Sequence, residues 1–395
     1  MKHSMTMQSA SQQTLRMVLP MTGGLEALGG GMTVYNNVIR AIKAEYHSTV
    51  RLTAVISRGQ ERFFDDGILR DVDVVFAPAW SARNSFLNRF VCEQLWLPFM
   101  LVLVPVLRRS DCIFGVGNYV PFLSFKKKIS FYQINSFYDA IPKEYQRNTW
   151  FKLAQAVLGY VSMKSSDRVI FPSYFMMKET LKKWPFISAR SFVLYEGVED
   201  GLAMNVAPNV QSSFGEYVCY PSVFRPYKNH LVLINAFRVL KEDPRFKDVK
   251  LVFTGSYEHT GDPVVDQYGS TIYQNHSGDK DIIFLGHISR QKLQETLAAA
   301  RIVVLPSKWE GFGLPVLEAF RIGTPVIVSD RGSLPEVAGD AALVFSADDS
   351  SQLAGMLKTL FLDEGLRQEL ITKGRSRMSE FTWERFVTGV VHHAH

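Results

Sequence analysis

The sequence predicts an α/β protein of two domains, each built on strands that alternate with helices. Three observations carry this. The 395 residues are too many for one hydrophobic core and suit two domains of ordinary size. Both halves repeat one order, a short apolar run, a glycine-bearing loop and a helix-period segment, which is the pattern of βαβ units on a parallel sheet. The charge also changes along the chain. Residues 1–195 hold 24 Lys and Arg against 13 Asp and Glu, a balance of +11, whereas residues 196–395 hold 20 against 25, a balance of −5. That shift supports a boundary near 196, and residues 199–215 lack periodicity, so the expected organisation is a domain over 1–195, a linker over 196–215, a second domain over 216–378 and a terminal helix over 379–395.

Hydrophobic content of 47% and charged content of 21% are those of a globular chain, not a disordered one. Cys92, Cys112 and Cys219 are too widely spaced for a disulfide framework or a metal site, as expected in a reducing cytoplasm. The opening MKHSMTMQSASQQT lacks a signal peptide's apolar core and reads as a disordered lead-in. The basic first half either faces something anionic, a membrane's inner leaflet or a lipid-diphosphate acceptor, or merely solubilises the chain. No nucleic-acid motif or dense basic cluster is present, so no nucleic-acid partner is expected.

In the first half, strands are expected at Arg16–Pro20, Arg51–Ser57, Val72–Phe76, Cys112–Val116, Ile129–Ile134, Arg168–Phe171 and Ser191–Leu194. Helices are expected at Met32–Ala44, Trp150–Met163 and Phe175–Trp184, the last capped by Ser173. Gly29, Gly30 and Gly31 close the loop after the first strand. They provide either a ligand approach or a flexible link between core elements. Phe90–Leu107, with LWLPFMLVLVPVL, is strongly apolar, but Pro98 and Pro105 interrupt it. Its uncharged run is short of the ~20 residues a membrane span needs, and it is expected as a buried crossover helix. Lys126, Lys127 and Lys128 read as a solvated loop, with membrane contact as the alternative. Ligands of open α/β sheets sit beyond the carboxyl ends of strands. The exit QINSFYDAIPKEY therefore places Gln133, Asn135 and Asp139 to meet a substrate, Asp139 serving as an acid or capping a turn before Pro142.

The second half opens with the strand Glu216–Tyr220, the loop SVFRPYKNH and the helix Leu231–Leu240. Arg225 and Lys228 bring positive charge to that loop. Further strands fall at Lys250–Thr254, Ile282–Leu285 and Ala342–Phe345, helices at Gln291–Ala300, 351–363, 364–378 and from Trp383, and a polar loop with a short helix over 256–280. The most informative stretch is Ser307–Glu318, SKWEGFGLPVLE, between the apolar runs Ile302–Leu305 and Thr324–Ser329. Pro315 suits a first helical turn. Gly311 and Gly313 let backbone approach a ligand just before a helix N-terminus, which attracts anions. Glu310 and Glu318 would repel phosphate and suit hydroxyl groups instead. Phosphate-binding backbone beside hydroxyl-binding carboxylates fits a nucleotide sugar. An ordinary glycine loop with surface glutamates is the alternative.

The stretch SKWEGFGLPVLEAFRIGTPVIVSDRGSLPEVAGDAALVF resembles the donor site of the retaining GT-B glycosyltransferases, glycosyltransferase family 4. The resemblance rests on Glu310 and Glu318 with seven residues between them, on Gly-Phe-Gly, on the Gly-Thr-Pro-Val of Gly323–Val326 and on the Leu-Pro-Glu-Val of Leu334–Val337. EGFGLPVLEA further resembles bacterial mannosyltransferases of surface polysaccharide assembly. The resemblance implies two Rossmann-like domains facing each other across a cleft, with the terminal helix over 379–395 crossing back to the first. It implies that Lys228, with Arg225, and the backbone at Phe312, Gly313 and Leu314 hold a diphosphate. Glu318, in the first helical turn, would accept ribose hydroxyls, and Glu310 would lie by the sugar and the reacting carbon. His287 is a candidate contact for the base, and the first domain, with its triple glycine, would bind the acceptor.

Three departures stand out. Many relatives carry a His-Asp pair near 133–139, where this chain offers Gln133 and Asn135 in a Gln-Asn version. An arginine six residues before the lysine is replaced by Ser222. The interdomain Asn-Gly-Val turn becomes Glu196-Gly197-Val198. The implied reaction is retaining transfer of a hexose, mannose from GDP-mannose first and UDP-sugars as alternatives, to a glycan or polyprenyl-diphosphate-linked acceptor. It would proceed in the cytoplasm or at the membrane's inner face, with no metal and no cofactor beyond the nucleotide-sugar co-substrate. A soluble-acceptor sugar synthase, a nucleotide-sugar 2-epimerase and a non-catalytic nucleotide-sugar-binding protein share the same fold as alternatives.

Overall fold

The structure, a computed structural model, describes residues 14–22, 30–65, 67–82, 86–116, 120–132, 149–198, 213–258 and 263–395. In chain order its first elements are β1 (Leu15–Met21), α1 (Gly30–Tyr46), β2 (Val50–Ser57), β3 (Asp73–Ala77), α2 (Phe86–Val91), α3 (Leu97–Leu103), α4 (Pro105–Arg108), β4 (Cys112–Gly115), β5 (Lys127–Phe131), α5 (Thr149–Ser165), β6 (Arg168–Phe171), α6 (Tyr174–Lys183) and β7 (Ser191–Val193). Then follow β8 (Tyr217–Pro221), α7 (His230–Lys241), β9 (Lys250–Thr254), α8 (Pro263–His276), β10 (Ile282–Phe284), α9 (Arg290–Ala299), β11 (Ile302–Leu305), α10 (Leu314–Ile322), β12 (Val326–Ser329), α11 (Leu334–Ala338), β13 (Leu343–Phe345), α12 (Ser350–Leu362), α13 (Glu364–Arg377) and α14 (Trp383–Ala394).

Among the described residues the strands form two sheets, ordered β3-β2-β1-β4-β5-β6-β7 and β10-β9-β8-β11-β12-β13. The central pairings are parallel: Met17 lies opposite both Leu52 and Cys112, and Val218 opposite both Leu251 and Ile302. Parallel strands covered on both faces read as continuous apolar runs, and Ile302–Leu305 and Val326–Ser329 are buried along their whole length. The order reverses direction beside the first strand of each sheet, the switch point beyond whose carboxyl ends such folds bind ligands. Contacts group the described residues into two compact units, those within 14–132, 157–170 and 387–395, and those within 149–156 and 171–386.

Several sequence expectations change. Phe90–Leu107 is not one buried helix. A π-helical turn at Cys92–Trp96 precedes α3, and Val104 takes an extended conformation, φ −83° and ψ 118°, before Pro105 starts α4. Each proline lacks an amide donor and breaks the ladder. Only one side, with Cys92, Leu97, Leu101 and Leu107, joins the core around Val18, Val55 and Ile113. The lysine triplet is not a solvated loop. Lys127 and Lys128 belong to β5, Lys128 is buried with Nζ donating to the Ser124 carbonyl at 2.8 Å, and Lys126 Nζ donates to the Arg108 and Ser110 carbonyls at 2.7 Å each. Gly30 and Gly31 are the first residues of α1 instead of loop, because the buried stripe Val34, Tyr35, Val38, Ile39 and Ile42 anchors a longer helix. The short helix expected within the polar loop over 256–280 is α8, which runs for 14 residues; its polar composition hid the buried stripe Val265, Tyr268, Ile272. Among the described residues no helix is long and apolar enough to cross a membrane.

Candidate active site

β8 and β11 are neighbours in parallel register, so their carboxyl ends deliver two loops to one edge. The loop after β8 ends in a tight turn, Pro226–Lys228, followed by Asn229 in the left-handed region, φ 59°. Asparagine tolerates that region better than most residues. Its Nδ2 donates to the Pro306 carbonyl at 3.0 Å and the Ala347 carbonyl at 2.8 Å, tying this loop to those after β11 and β13. The Lys308 amide donates to the Tyr227 carbonyl at 2.7 Å. These ties fix where Lys228 points.

Lys228 Nζ lies 2.6 Å from Glu310 Oε1, with only 15% and 13% of the two side chains exposed. Ser307 Oγ donates to the same carboxylate oxygen at 2.8 Å. The Tyr220 hydroxyl, fully buried, donates to the Lys228 carbonyl at 2.9 Å and lies 3.1 Å from Ser307 Oγ. Burial by itself would lower the Lys228 pKa, but the Glu310 carboxylate outweighs it and holds the ammonium above the usual lysine range. The group is a fixed cation. Behind it His230, the first residue of α7, is wholly buried and stacks on Phe224 with ring centres 4.0 Å apart. Burial, and then the Lys228 charge, push its imidazole down to about 3, so the ring is neutral.

The loop carrying Glu310 is clamped from the other side. Gly332, at φ 66°, passes so close that a Cβ there would lie 2.6 Å from the Glu310 amide nitrogen. The Ser333 amide donates to the Glu310 carbonyl at 3.1 Å, and Ser333 Oγ reaches the Phe312 carbonyl at 2.7 Å. Ser173 Oγ donates to the Gly311 carbonyl at 2.7 Å. Gly313, at φ 105°, is the N-cap of α10, and no side chain caps that helix. The N-cap thus offers the leading amide groups no side-chain acceptor, only its carbonyl, which takes the Val316 amide at 2.9 Å, and a helix start of this kind suits an anion.

The sequence candidates thus separate. Lys228 and Glu310 are brought together with Ser307 and Tyr220. Gly313 and Leu314 form the start of α10, as expected, but the Phe312 side chain is core, packed on Tyr195 with ring centres 6.0 Å apart. Only its backbone can serve a ligand. Glu318 is not in the first turn of α10. The helix starts at Leu314, its first turn has no acidic residue, and Glu318 opens the second turn, half-buried. Ser222 directly follows β8 with its amide bonded to the Thr254 carbonyl, Arg225 is half-buried just before the Lys228 turn, and His287 is exposed after β10. Gly29, Gln133, Asn135 and Asp139 lie outside the described residues.

Sequence reasoning gave no role to Tyr220, Ser307, Asn229 or Glu336. Glu336 accepts from the Tyr174 and Phe175 amides at 2.7 and 2.9 Å and from the Tyr195 hydroxyl at 3.0 Å, capping α6. Burial, then Glu336, raise the Tyr195 phenol. A polar residue two positions after a buried strand, as Ser307 is after β11, was the available signal. Among the described residues no group of three or more His, Cys, Asp or Glu is placed to hold a metal ion.

The sequence model of the family Glycosyl transferases group 1 matches residues 209–377. That segment is similar to the glycosyl transferases group 1 family. It contains Lys228, Ser307, Glu310 and Glu318. The O-antigen chain mannosyltransferase B of Escherichia coli is 32% identical over 186 residues, 47% of either chain. The chain thus spans less than half the length of the curated relatives it matches. Among solved structures, sucrose-phosphate synthase from Thermosynechococcus elongatus superposes with a TM-score of 0.71 at 19% identity, over 96% of this chain and 98% of that one. HepE of Anabaena, solved in complex with UDP-glucose, gives 0.66 at 16% identity over 96% and 98%. The fold is GT-B, two Rossmann-like domains on parallel sheets.

Proposed function

We propose that the protein is a retaining, metal-independent glycosyltransferase of family 4, transferring a hexose from a nucleotide-diphosphate sugar to a glycan or polyprenyl-diphosphate-linked acceptor in surface polysaccharide synthesis. The observation that carries this is the desolvated Lys228–Glu310 pair beside the uncapped start of α10, inside the segment that matches the group 1 family. A departing nucleoside diphosphate gains negative charge as the sugar leaves, and a preformed cation with helix amides stabilises that charge most in the transition state. Lys228 would exchange one anionic partner for another, releasing Glu310 to hydroxyls of the sugar. Glu318 would accept the ribose hydroxyls. The leaving phosphate would take the proton of the acceptor hydroxyl as it attacks from the same face, which preserves anomeric configuration without a covalent nucleophile. Gln133, Asn135, Asp139 and the triple glycine are assigned to the acceptor side, Arg225 to the diphosphate and His287 to the base. Mannose from GDP-mannose is the first donor to test, since the first-named relative is a mannosyltransferase. The site of action would be the cytoplasmic face of a membrane, to which the basic first half is suited.

A thermal-shift series with GDP, UDP and ADP tests the donor. One nucleotide should raise Tm in proportion to RT ln(1 + [L]/Kd), and Lys228→Met should abolish most of that shift. With the matching sugar donor and a lipid-linked acceptor in detergent, Lys228→Met should lower kcat by about 100-fold, whereas Glu318→Ala should act mainly on donor KM. No stabilisation by any nucleotide, or full turnover in both variants, would sink the assignment.

A further inference from the structure

Six large apolar side chains of the first unit face solvent along one strip. Leu95, Phe99, Val102, Leu103 and Leu123 are each more than half exposed, and Phe125 is entirely in solvent. The first four lie along the segment from the π-helical turn through α3, opposite the buried Leu97 and Leu101. Leu123 and Phe125 are brought alongside by two ties. At one end Gln94 holds residues 120–122, its Oε1 accepting from the Phe122 amide at 3.1 Å and its Nε2 donating to the Val120 carbonyl at 3.3 Å. At the other end Lys126 Nζ donates to the carbonyls of Arg108 and Ser110. The loop therefore runs beside the helical segment from its start to its end, with Leu123 and Phe125 between the two ties.

Within the two segments that form this strip the charge has one sign, the flanking Glu93 being buried and Asp111 bonded to the Arg16 amide. Residues 94–109 and 120–130 contain Arg108, Arg109, Lys126, Lys127 and Lys128 and no Asp or Glu. Arg108 and Arg109 are exposed, whereas Lys128 is turned inward. A contiguous exposed apolar strip marks an interaction surface. Leu, Val and Phe side chains offer no hydrogen-bonding groups by which to select a polar partner. Aliphatic and phenyl groups at the centre with cations at the end match a hydrocarbon boundary beneath anionic headgroups. The uncharged run Gln94–Leu107 is of interfacial and not spanning length, and its prolines keep it short and tilted out of a single helix.

We propose that this strip, Leu95, Phe99, Val102 and Leu103 with Leu123 and Phe125, inserts into the surface of an anionic lipid bilayer, with Arg108 and Arg109 at the headgroups. It gives the membrane contact a specific face, and it rests on exposure and charge alone, independently of the transfer reaction.

Flotation of the full chain with vesicles tests it without donor or acceptor, so failure of this surface is distinguishable from failure of the proposed reaction. The chain should float with phosphatidylcholine vesicles containing phosphatidylglycerol and not with phosphatidylcholine alone. Phe99→Gln with Phe125→Gln should lower the bound fraction roughly tenfold while leaving the melting curve in place, since both side chains are exposed. Arg108→Gln with Arg109→Gln should lower it by about the same factor. A thiol-reactive dye on Leu103→Cys, selective because the native cysteines are buried, should shift to the blue on the anionic vesicles. Unchanged flotation of the Gln pair, or no flotation of the parent chain, overturns the proposal. So does a dimer in light scattering that the Gln pair disperses without altering flotation, which would assign the strip to a second copy of the chain.

Discussion

At the scale of single residues, His230 sets a pH dependence that its position explains. The imidazole is sealed between Phe224, Tyr220 and Phe253, with Lys228 nearby. Its native pKa of about 3 lies below the ordinary 6.5, so between those values the unfolded chain binds a proton that the native chain does not. Its contribution is complete above about pH 6.5 and is lost as pH falls toward 3, with a slope of up to ~1.4 kcal/mol per pH unit. Urea midpoints measured at pH 7.5, 6 and 5 should fall in the parent chain and flatten in His230→Phe. An unaltered pH slope in that variant would show that other groups set it. The residues of the candidate site were legible individually, since Lys228 and Glu310 both sit in loops that follow apolar runs. Their pairing was not, because 82 residues separate them and the intermediaries Tyr220 and Ser307 look like ordinary strand and loop residues. Glu318 was misplaced by a turn because a glycine N-cap carries no side chain to announce it.

At the scale of elements, the strands were the most readable features. β8 and β11 are continuous apolar runs because both their faces are covered, and β1, β2, β9 and β12 depart from one only at polar positions such as Arg16, Arg51, Lys250 and Ser329. Helices that present one face were harder: α8 hides its stripe in polar sequence, and the Pro98–Pro105 segment reads as buried although half of it is not. Loop geometry was the least readable, since it depends on approach distances that no local pattern encodes. Gly332 shows this. Its Cβ would meet the Glu310 amide nitrogen at 2.6 Å and carbonyl oxygen at 2.8 Å, at φ 66°. Gly332→Ala should cost ~1–3 kcal/mol and lower turnover by displacing Glu310. Gly355→Ala is the control: it lies inside α12, with nothing within 4 Å of a new Cβ, and should stabilise by about 0.5–1 kcal/mol. Denaturant midpoints and initial rates on both variants decide this, and equal effects would remove the packing argument.

At the scale of the whole molecule, the sheet arrangement followed from length and alternation, but the grouping of residues 171–195 did not. Residues 171–195 cluster with the second unit because Ser173, Tyr174, Phe175 and Tyr195 bond Gly311 and Glu336, contacts that a change in charge balance near 196 does not reveal. Residues 387–395 cluster with the first unit, and Tyr46 donates its hydroxyl to Thr388 Oγ1 at 3.0 Å. Removing residues 387–395 should therefore weaken amide protection in β1, β2 and α1 more than in β8, β11 and β12. Hydrogen-exchange mass spectrometry reads both sets in one experiment, and uniform loss would argue against the grouping.

The same interleaving constrains how the protein is born. A chain emerging from the ribosome offers β1 and α1 early, yet Thr388 arrives only after every strand of the second sheet has been synthesised. The second unit in turn needs residues up to 386 and the first needs residues 387–395, so both are completed by α14, the last element to be synthesised.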